Sequence, residues 1–263
     1  MEPIRVIVHG ALGKLGREVV NGICSESETQ LVGAIDLKAS KNSLPLPDGS
    51  GEVPMSADLS LLDKCQAEVL VDSTVAKATM PAARLATEKG INLVIATTGL
   101  SVDDRTELER LAAANKVGIV MAPNFALGAV LMMHLAGIAA KYMDYAEIIE
   151  LHHDQKADAP SGTARFTASA MAEARGKPFS CPPEGEQTSK SRGENVEGVS
   201  IHAVRLPGLM AHQEVILGVA GQTLIIRHDT INRECYLPGI IMAVKEVVKR
   251  PGFIYGLDAL LNL

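Results

Sequence analysis

Short apolar runs that alternate with helical patterns constrain the fold of the first half of the chain more than any other feature. Each run is rich in Val, Ile or Leu, which is typical of strands buried on both faces of a parallel sheet. Helical patterns lie between the runs, most clearly at 103–114, where Ser101 is a candidate N-cap. This alternation predicts a doubly wound α/β layer. The predicted strands are 4–8, 31–35, 69–71, 93–95 and 119–121.

The pattern changes after about residue 123. We predict a long apolar helix over 125–143, a strand over 146–151 and a second helix from 162 to about 175. The stretch 177–198 is rich in Pro, Gly, Glu and Ser, which indicates a long surface loop. A different kind of domain therefore begins here.

The last third contains three strand-like runs, at 199–205, 214–219 and 223–228. Gly221-Gln222 favours a tight turn, so the last two runs are expected to form an antiparallel hairpin. A helix over 238–249 ends the regular part and is expected to return to the first domain.

The fold class is therefore α/β, with a Rossmann-like parallel-sheet domain and an α+β domain whose sheet is mixed or antiparallel. We assign the first domain to 1–123, completed by 234–263, and the second to 124–233.

Composition disfavours several function classes. The net charge is −6, there is no Trp and only 3% of the residues are aromatic, which disfavours a nucleic-acid partner. No apolar run reaches the roughly 18 residues of a membrane span, and the start of the chain has no apolar signal segment. We therefore expect a cytoplasmic protein without a membrane or nucleic-acid partner. Its cysteines form no CxxC pair, which predicts reduced thiols and no metal site: Cys24, Cys65, Cys181 and Cys235.

A G-x-x-G-x-x-G motif directly follows the first predicted strand and opens a predicted helix. Gly10 would permit the sharp turn, Gly13 would let a pyrophosphate approach the backbone, and Gly16 would let helix and strand pack closely. The helix N-terminus offers N–H groups to the phosphates, and Lys14 could add a positive charge. A glycine-rich turn that binds nothing is the simpler alternative, and the surrounding strand and helix favour dinucleotide binding.

Asp36 ends the second predicted strand, 20 residues beyond Gly16. An acidic residue at this place accepts hydrogen bonds from the adenosine ribose hydroxyls and repels a 2′-phosphate. We therefore expect NADH to serve at least as well as NADPH. Lys38 could offset the repulsion, so dual use stays open.

A second polar cluster runs from a strand end to a helix start. His152, His153 and Lys156 lie within five residues and could serve as proton donors and anion ligands. The segment Ser161-Gly162-Thr163 is typical of a helix N-terminus that holds a carboxylate. Together they indicate a small dianionic substrate that receives a proton.

Simpler readings exist for this cluster as well. Paired histidines at a strand end are often only solvated, and Ser-Gly-Thr is a common way to open a helix. A shared zinc ion is weaker still, because neighbouring residues on a strand, such as His152 and His153, point to opposite faces. The predicted cofactor domain is what favours a substrate site.

The string His-His-x-x-Lys-x-Asp-Ala-Pro-Ser-Gly-Thr-Ala at 152–164 resembles the signature of the 4-hydroxy-tetrahydrodipicolinate (dihydrodipicolinate) reductase family of bacterial lysine biosynthesis. The resemblance covers essentially the whole chain, including the turn at Gly10 and the stretches 96–99, 122–125 and 200–218. It implies an NAD(P)H-dependent oxidoreductase, a homotetramer, whose second domain binds a small dicarboxylate and mediates assembly.

The resemblance also implies roles for individual residues. His152 would be the proton donor and Lys156 a second catalytic donor. The substrate ligands would be His153, Ser161, Gly162, Thr163 and, after the hairpin, Arg233. The cofactor contacts would be Gly10, Ala11, Leu12, Gly13, Lys14, Leu15, Gly16, Asp36, Ala96, Thr97, Thr98, Ala122, Pro123, Asn124 and Phe125.

Two positions depart from the family pattern. Ala96 stands where the family usually has Gly, which adds a methyl group near the nicotinamide. Leu37 stands where NADPH-favouring members commonly have Arg after the acidic residue, which favours NADH.

The expected reaction is hydride transfer to a cyclic imine-like or unsaturated dicarboxylate, followed by protonation. A related reductase of another small carboxylated imine is an open alternative, as is an NAD(P)H sensor without turnover. His152 and Lys156 argue against a sensor, because a sensor needs no proton donor.

Overall fold

The computed structural model describes residues 2–181 and 191–263. It divides into two compact units, one formed by Met1–Leu127 with Arg233–Leu263 and the other by Gly128–Asn232. The strands are β1 (Ile4–His9), β2 (Thr29–Ile35), β3 (Ser43–Pro45), β4 (Glu52–Ser56), β5 (Val69–Asp72), β6 (Asn92–Ile95), β7 (Gly118–Met121), β8 (Tyr145–His152), β9 (Glu194–Val196), β10 (Val199–Arg205), β11 (Ala211–Val219), β12 (Gln222–Thr230) and β13 (Gly252–Tyr255). The helices are α1 (Lys14–Ser25), α2 (Ala76–Glu88), α3 (Val102–Asn115), α4 (Leu127–Ala140), α5 (Gly162–Arg175), α6 (Leu237–Val247) and α7 (Leu257–Leu261), with 3₁₀ turns at Leu59–Asp63 and Arg233–Tyr236.

The first unit is built on a twisted sheet with the strand order β13-β7-β6-β5-β1-β2-β4-β3. Every pair in it is parallel except β3 with β4. Val6 of β1 pairs with β2 on one side and β5 on the other, and it is fully buried. From β1 the chain builds the sheet first in one direction and then in the other. Ligands of such sheets bind at the carboxyl ends of the strands where this reversal occurs.

The five strands predicted for the first half are confirmed to within two residues. The helix predicted at 103–114 is confirmed as α3, and Ser101 caps it by accepting a hydrogen bond from Asp104 N, while the Asp104 carboxylate accepts from Ser101 N. The apolar helix predicted over 125–143 is shorter at both ends, at Leu127–Ala140.

Four short elements of the first unit did not emerge from the sequence: β3, β4, β13 and α7. Each has three to five residues, too few for a hydrophobic period to be recognised. β13 follows a proline and is a strand because it pairs with β7, whose own buried edge needs hydrogen-bond partners.

The second unit has a mixed sheet with the order β12-β11-β8-β10-β9, in which only β8 and β10 are parallel. α4 and α5 pack against one face, where Met132, Met171, Ile148 and Leu217 lie in one buried cluster. The opposite face carries the partly exposed Ile149 and, on the neighbouring strands, the ion-paired Glu214 and Arg227. The predicted hairpin is confirmed as β11 and β12.

The long loop predicted over 177–198 is wrong at Glu194–Val196, which forms β9 and pairs antiparallel with β10. This strand has only three residues and is partly polar, so its sequence gave no alternating pattern. The part of that prediction at 182–190 lies outside the described residues. No helix in the described part of the chain is long and apolar enough to cross a membrane.

Candidate functional site

The glycine motif forms a tight turn between β1 and α1. Gly10 has a φ of +85°, and its N–H donates to Ile35 O at 2.7 Å. A Cβ at Gly16 would lie 1.9 Å from the carbonyl oxygen of Gly10, so a side chain there would collide with backbone. Both positions therefore require glycine, for the reasons that the motif predicts.

The first turn of α1 follows an exposed glycine. Gly13 is its N-cap, has no side chain to cap the helix, and is exposed together with Lys14. The first turn contains no acidic residue. A helix start of this kind, with free N–H groups and a lysine, fits a pyrophosphate. These residues therefore fit a dinucleotide cofactor.

Asp36 joins the end of β2 to this turn. Its Oδ2 accepts a hydrogen bond from Leu12 N at 2.9 Å, and its Oδ1 accepts one from Lys38 N at 2.9 Å. Asp36 is 8% exposed, so its carboxylate is held in place close to the glycine turn. Two carboxylate oxygens accept up to about four hydrogen bonds, which leaves capacity for ribose hydroxyls. Contact with ribose stays a prediction.

A buried carboxylate that the sequence analysis missed lies at the same edge of the sheet. Asp72 ends β5 and is 1% exposed. Its oxygens accept hydrogen bonds from the hydroxyls of Thr97 (2.6 Å), Thr79 (2.6 Å) and Thr74 (2.7 Å), and His9 Nδ1 lies 2.8 Å from Oδ1. Burial raises the pKa of Asp72, and the hydrogen bonds from His9, Thr79 and Thr97 outweigh it and hold the pKa below its ordinary value. The carboxylate therefore stays charged and ties the ends of β1, β5 and β6 together.

This network determines which groups after β6 are available to a ligand. The Thr97 hydroxyl donates to Asp72 and accepts from Thr74 N at 2.9 Å, and Thr97 is 3% exposed. Thr98 is exposed and Ala96 is half-buried. The Thr97 side chain thus anchors the loop, while Thr98 and the backbone of Ala96 are left for a cofactor.

The stretch 122–125 follows the neighbouring strand, β7. Ala122 N donates to Ile95 O at 3.4 Å, which joins the two strand ends. The Asn124 side chain accepts from Ala126 N at 2.8 Å, Pro123 is exposed and Phe125 is buried. All three parts of the predicted cofactor site therefore lie at one edge of the sheet, as expected of parallel strands.

The second cluster surrounds Glu150, a fully buried carboxylate near the end of β8 that the sequence analysis did not select. Its Oε2 lies 2.6 Å from His152 Nδ1, and its Oε1 accepts from Ser161 N at 3.0 Å. The Arg205 guanidinium donates to both oxygens at 2.8 Å. Strand alternation could have indicated this, because residues 150 and 152 share a face.

The start of α5 lies against this carboxylate. Ser161 is buried and its hydroxyl accepts from Ala164 N at 3.2 Å, so it is the helix N-cap. Gly162 and Thr163 are exposed in the first turn. The N–H and hydroxyl of Ser161 are thus already used, and the anion-binding groups of this turn are those of Gly162 and Thr163.

The remaining predicted residues lie as follows. Lys156 Nζ donates to Asp158 Oδ1 at 2.7 Å, and Lys156 N donates to His153 O at 3.2 Å. His153 is exposed. Arg233 belongs to the 3₁₀ turn Arg233–Tyr236 of the first unit, whereas the other predicted substrate residues belong to the second. Residues 2–181 and 191–263 contain no cluster of three or more metal-ligating side chains.

The surroundings of His152 and Glu150 determine the protonation state of each side chain. Burial lowers the pKa of His152 below its ordinary value of 6.5; Glu150 opposes this, and Lys156 and Arg205 add to it. Burial raises the pKa of Glu150, but the hydrogen bonds from Arg205, His152 and Ser161 hold it below its ordinary value. Glu150 is therefore an anion, and His152 is mostly neutral near pH 7.

The fold and these two sites define an oxidoreductase with a dinucleotide-binding domain. Family models described as dihydrodipicolinate reductase match the chain in two parts, the N-terminus at residues 4–125 and the C-terminus at residues 128–261. The chain belongs to the dihydrodipicolinate reductase family.

Individual relatives agree with this assignment. The chain is 54% identical to 4-hydroxy-tetrahydrodipicolinate reductase from Dehalococcoides mccartyi (strain ATCC BAA-2100 / JCM 16839 / KCTC 5957 / BAV1) over 100% of both chains. It is 48% identical to the enzyme of the same name from Moorella thermoacetica (strain ATCC 39073 / JCM 9320), over 98% of both. A solved structure, dipicolinate-bound dihydrodipicolinate reductase from Paenisporosarcina sp. TG-14, is 38% identical to this chain, with a TM-score of 0.87. The match covers 97% of this chain and 98% of the chain in that structure. An amine dehydrogenase from Mycobacterium smegmatis, 18% identical with a TM-score of 0.67, shares the fold.

Proposed function

We propose that this chain reduces 4-hydroxy-tetrahydrodipicolinate to tetrahydrodipicolinate in the diaminopimelate route to lysine. The observation that carries the proposal is the cluster of His152, Lys156 and the exposed first turn of α5, in a chain that also has a dinucleotide-binding turn. The relatives named for this reaction match over their full length. A related structure binds dipicolinate, a small dicarboxylate, which supports a substrate of that class. The test is substrate-dependent cofactor oxidation by the purified chain.

The proposed division of labour assigns cofactor binding to the first unit and substrate binding to the second. The bound nicotinamide would supply the hydride. The first turn of α5, with Gly162 and Thr163, would hold one substrate carboxylate by its N–H groups. His153 and Lys156 would hold the other and offset developing negative charge. Ser161 would keep the turn in place.

His152 is the proposed proton donor. Its Nδ1 faces Glu150, so the other ring nitrogen, Nε2, is the one that can reach a substrate. Lys156 lies in the loop after β8, where its Nζ donates a hydrogen bond to Asp158 Oδ1 at 2.7 Å. A proton positioned in this way contributes about 10²–10⁴-fold to a rate.

Asp36 is proposed to favour NADH over NADPH. We expect Asp36→Asn to raise the KM for NADH by about 10-fold, the value of a hydrogen bond to a charged group. The KM for NADPH should rise less or fall, because the repulsion of a 2′-phosphate is removed. Steady-state kinetics with both cofactors measure this ratio.

Asp48→Asn is the matched control, because Asp48 also accepts a backbone N–H, that of Ser50, but in a distant loop. It should leave both KM values unchanged. An equal rise of the two KM values in Asp36→Asn would mean that Asp36 only anchors the Leu12 turn and does not discriminate between the cofactors.

We further propose that the chain is a cytoplasmic homotetramer that assembles through the open face of the second sheet. This face, the assembly face, comprises Ile149, Leu151, Val204, Ile216 and Ile225. Ile225 is 55% exposed and Val204 36% exposed, and ion-paired Glu214 and Arg227 lie between the apolar residues on this face. Apolar side chains exposed together with polar ones are typical of a protein interface.

Ile225→Glu is expected to lower the sedimenting mass from that of a tetramer to that of a dimer or monomer, because it buries a charge in the interface. Ile231→Glu is the control: Ile231 is 84% exposed and lies beyond the end of β12. Sedimentation velocity measures both. A tetramer in Ile225→Glu, or a monomeric wild type, would contradict the assembly face.

A further inference from the structure

Glu150 is a fully buried carboxylate of the second unit that accepts hydrogen bonds from Arg205 and Ser161 and lies 2.6 Å from His152 Nδ1. We infer that Glu150 is a positioning residue: it fixes His152 as the Nδ1–H tautomer and thereby leaves Nε2 as the nitrogen that serves the substrate. This inference rests on the proposed function and deepens it. Glu150 itself does not touch the reacting atoms.

The geometry follows from strand periodicity. Glu150 and His152 are two residues apart on β8, so both side chains stand on the face that packs against α5. The two side chains meet at 2.6 Å. A carboxylate only accepts hydrogen bonds, so the ring nitrogen that faces it must carry a proton. The position of the strand residues therefore determines the tautomer.

Arg205 keeps the carboxylate charged. It lies opposite His152 in the parallel pair of β8 and β10, and it donates to both oxygens of Glu150. Its NH2 group also donates to Asp158 O at 2.7 Å. A buried carboxylate with this set of donors stays ionised, whereas an unpaired one would take up a proton. Arg205 thus preserves the acceptor that His152 needs.

Glu150 also connects the proton donor to the anion-binding turn. Its Oε1 accepts from Ser161 N, directly before the exposed first turn of α5. One carboxylate therefore sets the positions of both His152 and the groups that would hold a substrate carboxylate. A role in the turn alone would change KM, and a role in the tautomer changes kcat and its pH dependence.

The charges around His152 determine the sign of the pH effect. Glu150 faces it from its own strand, Arg205 from β10, and Lys156, with its partner Asp158, from the loop after β8. On the other side of β8, β11 presents Ala211 to His152 and no charge. Glu150 raises the pKa of His152, so its removal lowers that pKa further. A reaction that needs protonated His152 loses activity as the pH rises through this pKa. Without Glu150 that loss therefore begins at a lower pH.

The test compares Glu150→Gln with Glu147→Gln. Glu147 lies on the same strand and also contacts an arginine and a histidine, Arg192 and His202, but on the opposite face. We expect Glu150→Gln to lower kcat by between about 10² and 10⁴, as when the orienting carboxylate of a hydrolase triad is neutralised. The alkaline limb of kcat/KM should move to lower pH. Glu147→Gln should change neither kcat nor the position of the alkaline limb. Both variants should sediment like wild type.

Nuclear magnetic resonance of the ring nitrogens separates this inference from the proposed function. In wild type, above its pKa, neutral His152 should carry its proton on Nδ1, a result that needs no variant to fold and no substrate. Finding the proton on Nε2 would overturn the inference whatever the activity. So would a change of KM alone in Glu150→Gln, or a kcat matching that of wild type. An inactive wild type with the Nδ1–H tautomer would instead contradict the proposed function and leave the inference standing.

Discussion

Lys156→Ala is expected to lower kcat for the proposed reduction by about 10²–10³-fold, while the Kd for NADH stays within about two-fold of wild type. The lysine belongs to the second unit and is only 21% exposed in its contact with Asp158, so its removal takes a preorganised hydrogen-bond donor from the proposed substrate cluster. Its hydrogen bond to Asp158 lies within the second unit, whereas the glycine turn and the ends of β5 and β6 belong to the first. Steady-state kinetics and the change of NADH fluorescence on titration measure the two quantities.

Lys249→Ala is a suitable control for this variant, because Lys249 also pairs with an acidic residue, Glu246, at 2.9 Å on the surface. It should leave kcat and NADH binding unchanged. If Lys156→Ala lost NADH binding as well as turnover, the assignment of cofactor and substrate to different units would be contradicted.

Gly16→Ala is expected to remove most cofactor binding and to lower the free energy of unfolding by about 3 kcal/mol, the upper range for forcing a methyl group into a packed site. The new Cβ would lie 1.9 Å from Gly10 O and 2.7 Å from Gly10 C. These are backbone atoms of the turn, so relief requires the whole turn to shift. The N–H groups that we expect to bind a pyrophosphate would shift with it.

Gly137→Ala provides the matched comparison, since Gly137 is also a helix glycine and its Cβ would meet only Ala174 Cβ, at 3.7 Å. It should raise the free energy of unfolding by about 0.5–1 kcal/mol, because alanine favours the helix. Urea unfolding and NADH titration of both variants decide the matter. Normal stability and normal NADH binding in Gly16→Ala would contradict the requirement for glycine at this position.

The sequence predicts those parts of the fold that depend on local pattern. Buried parallel strands such as β1 and β5 are continuous apolar runs, and α3 has a capping box, so both can be recognised without tertiary information. β9 and β13 cannot, because three or four residues become a strand only when a neighbouring strand offers its edge. Their existence depends on pairing rather than on their own composition.

Some residues of the candidate site can also be recognised from local sequence, and others only from their partners in the fold. The glycines at 10 and 16 have a backbone requirement that their spacing predicts, and the structure shows why each must be glycine. Asp72 and Glu150 were missed because each also depends on donors that are distant in sequence. Thr97 is 25 residues from Asp72, and Arg205 is 55 residues from Glu150. Such partners meet only after the strands have paired.

Ser161 illustrates the limit of a motif. The segment Ser161-Gly162-Thr163 is predicted to bind an anion with all three residues, and Gly162 and Thr163 are exposed. The hydroxyl of Ser161 is instead the helix cap, and its N–H is bonded to Glu150. A sequence pattern identifies the turn, and only the hydrogen bonds determine which of its groups remain for a ligand.

The measurement that tests the central claim most directly is NADH oxidation by the purified chain. The substrate is generated in the cuvette from pyruvate and aspartate semialdehyde by the preceding synthase, and NADPH is run beside NADH. We predict oxidation that requires the synthase products, is lost in Lys156→Ala, and is at least as fast with NADH as with NADPH. No substrate-dependent oxidation by a folded chain that binds NADH would contradict the proposed function and would favour a reductase of another imine or a cofactor sensor.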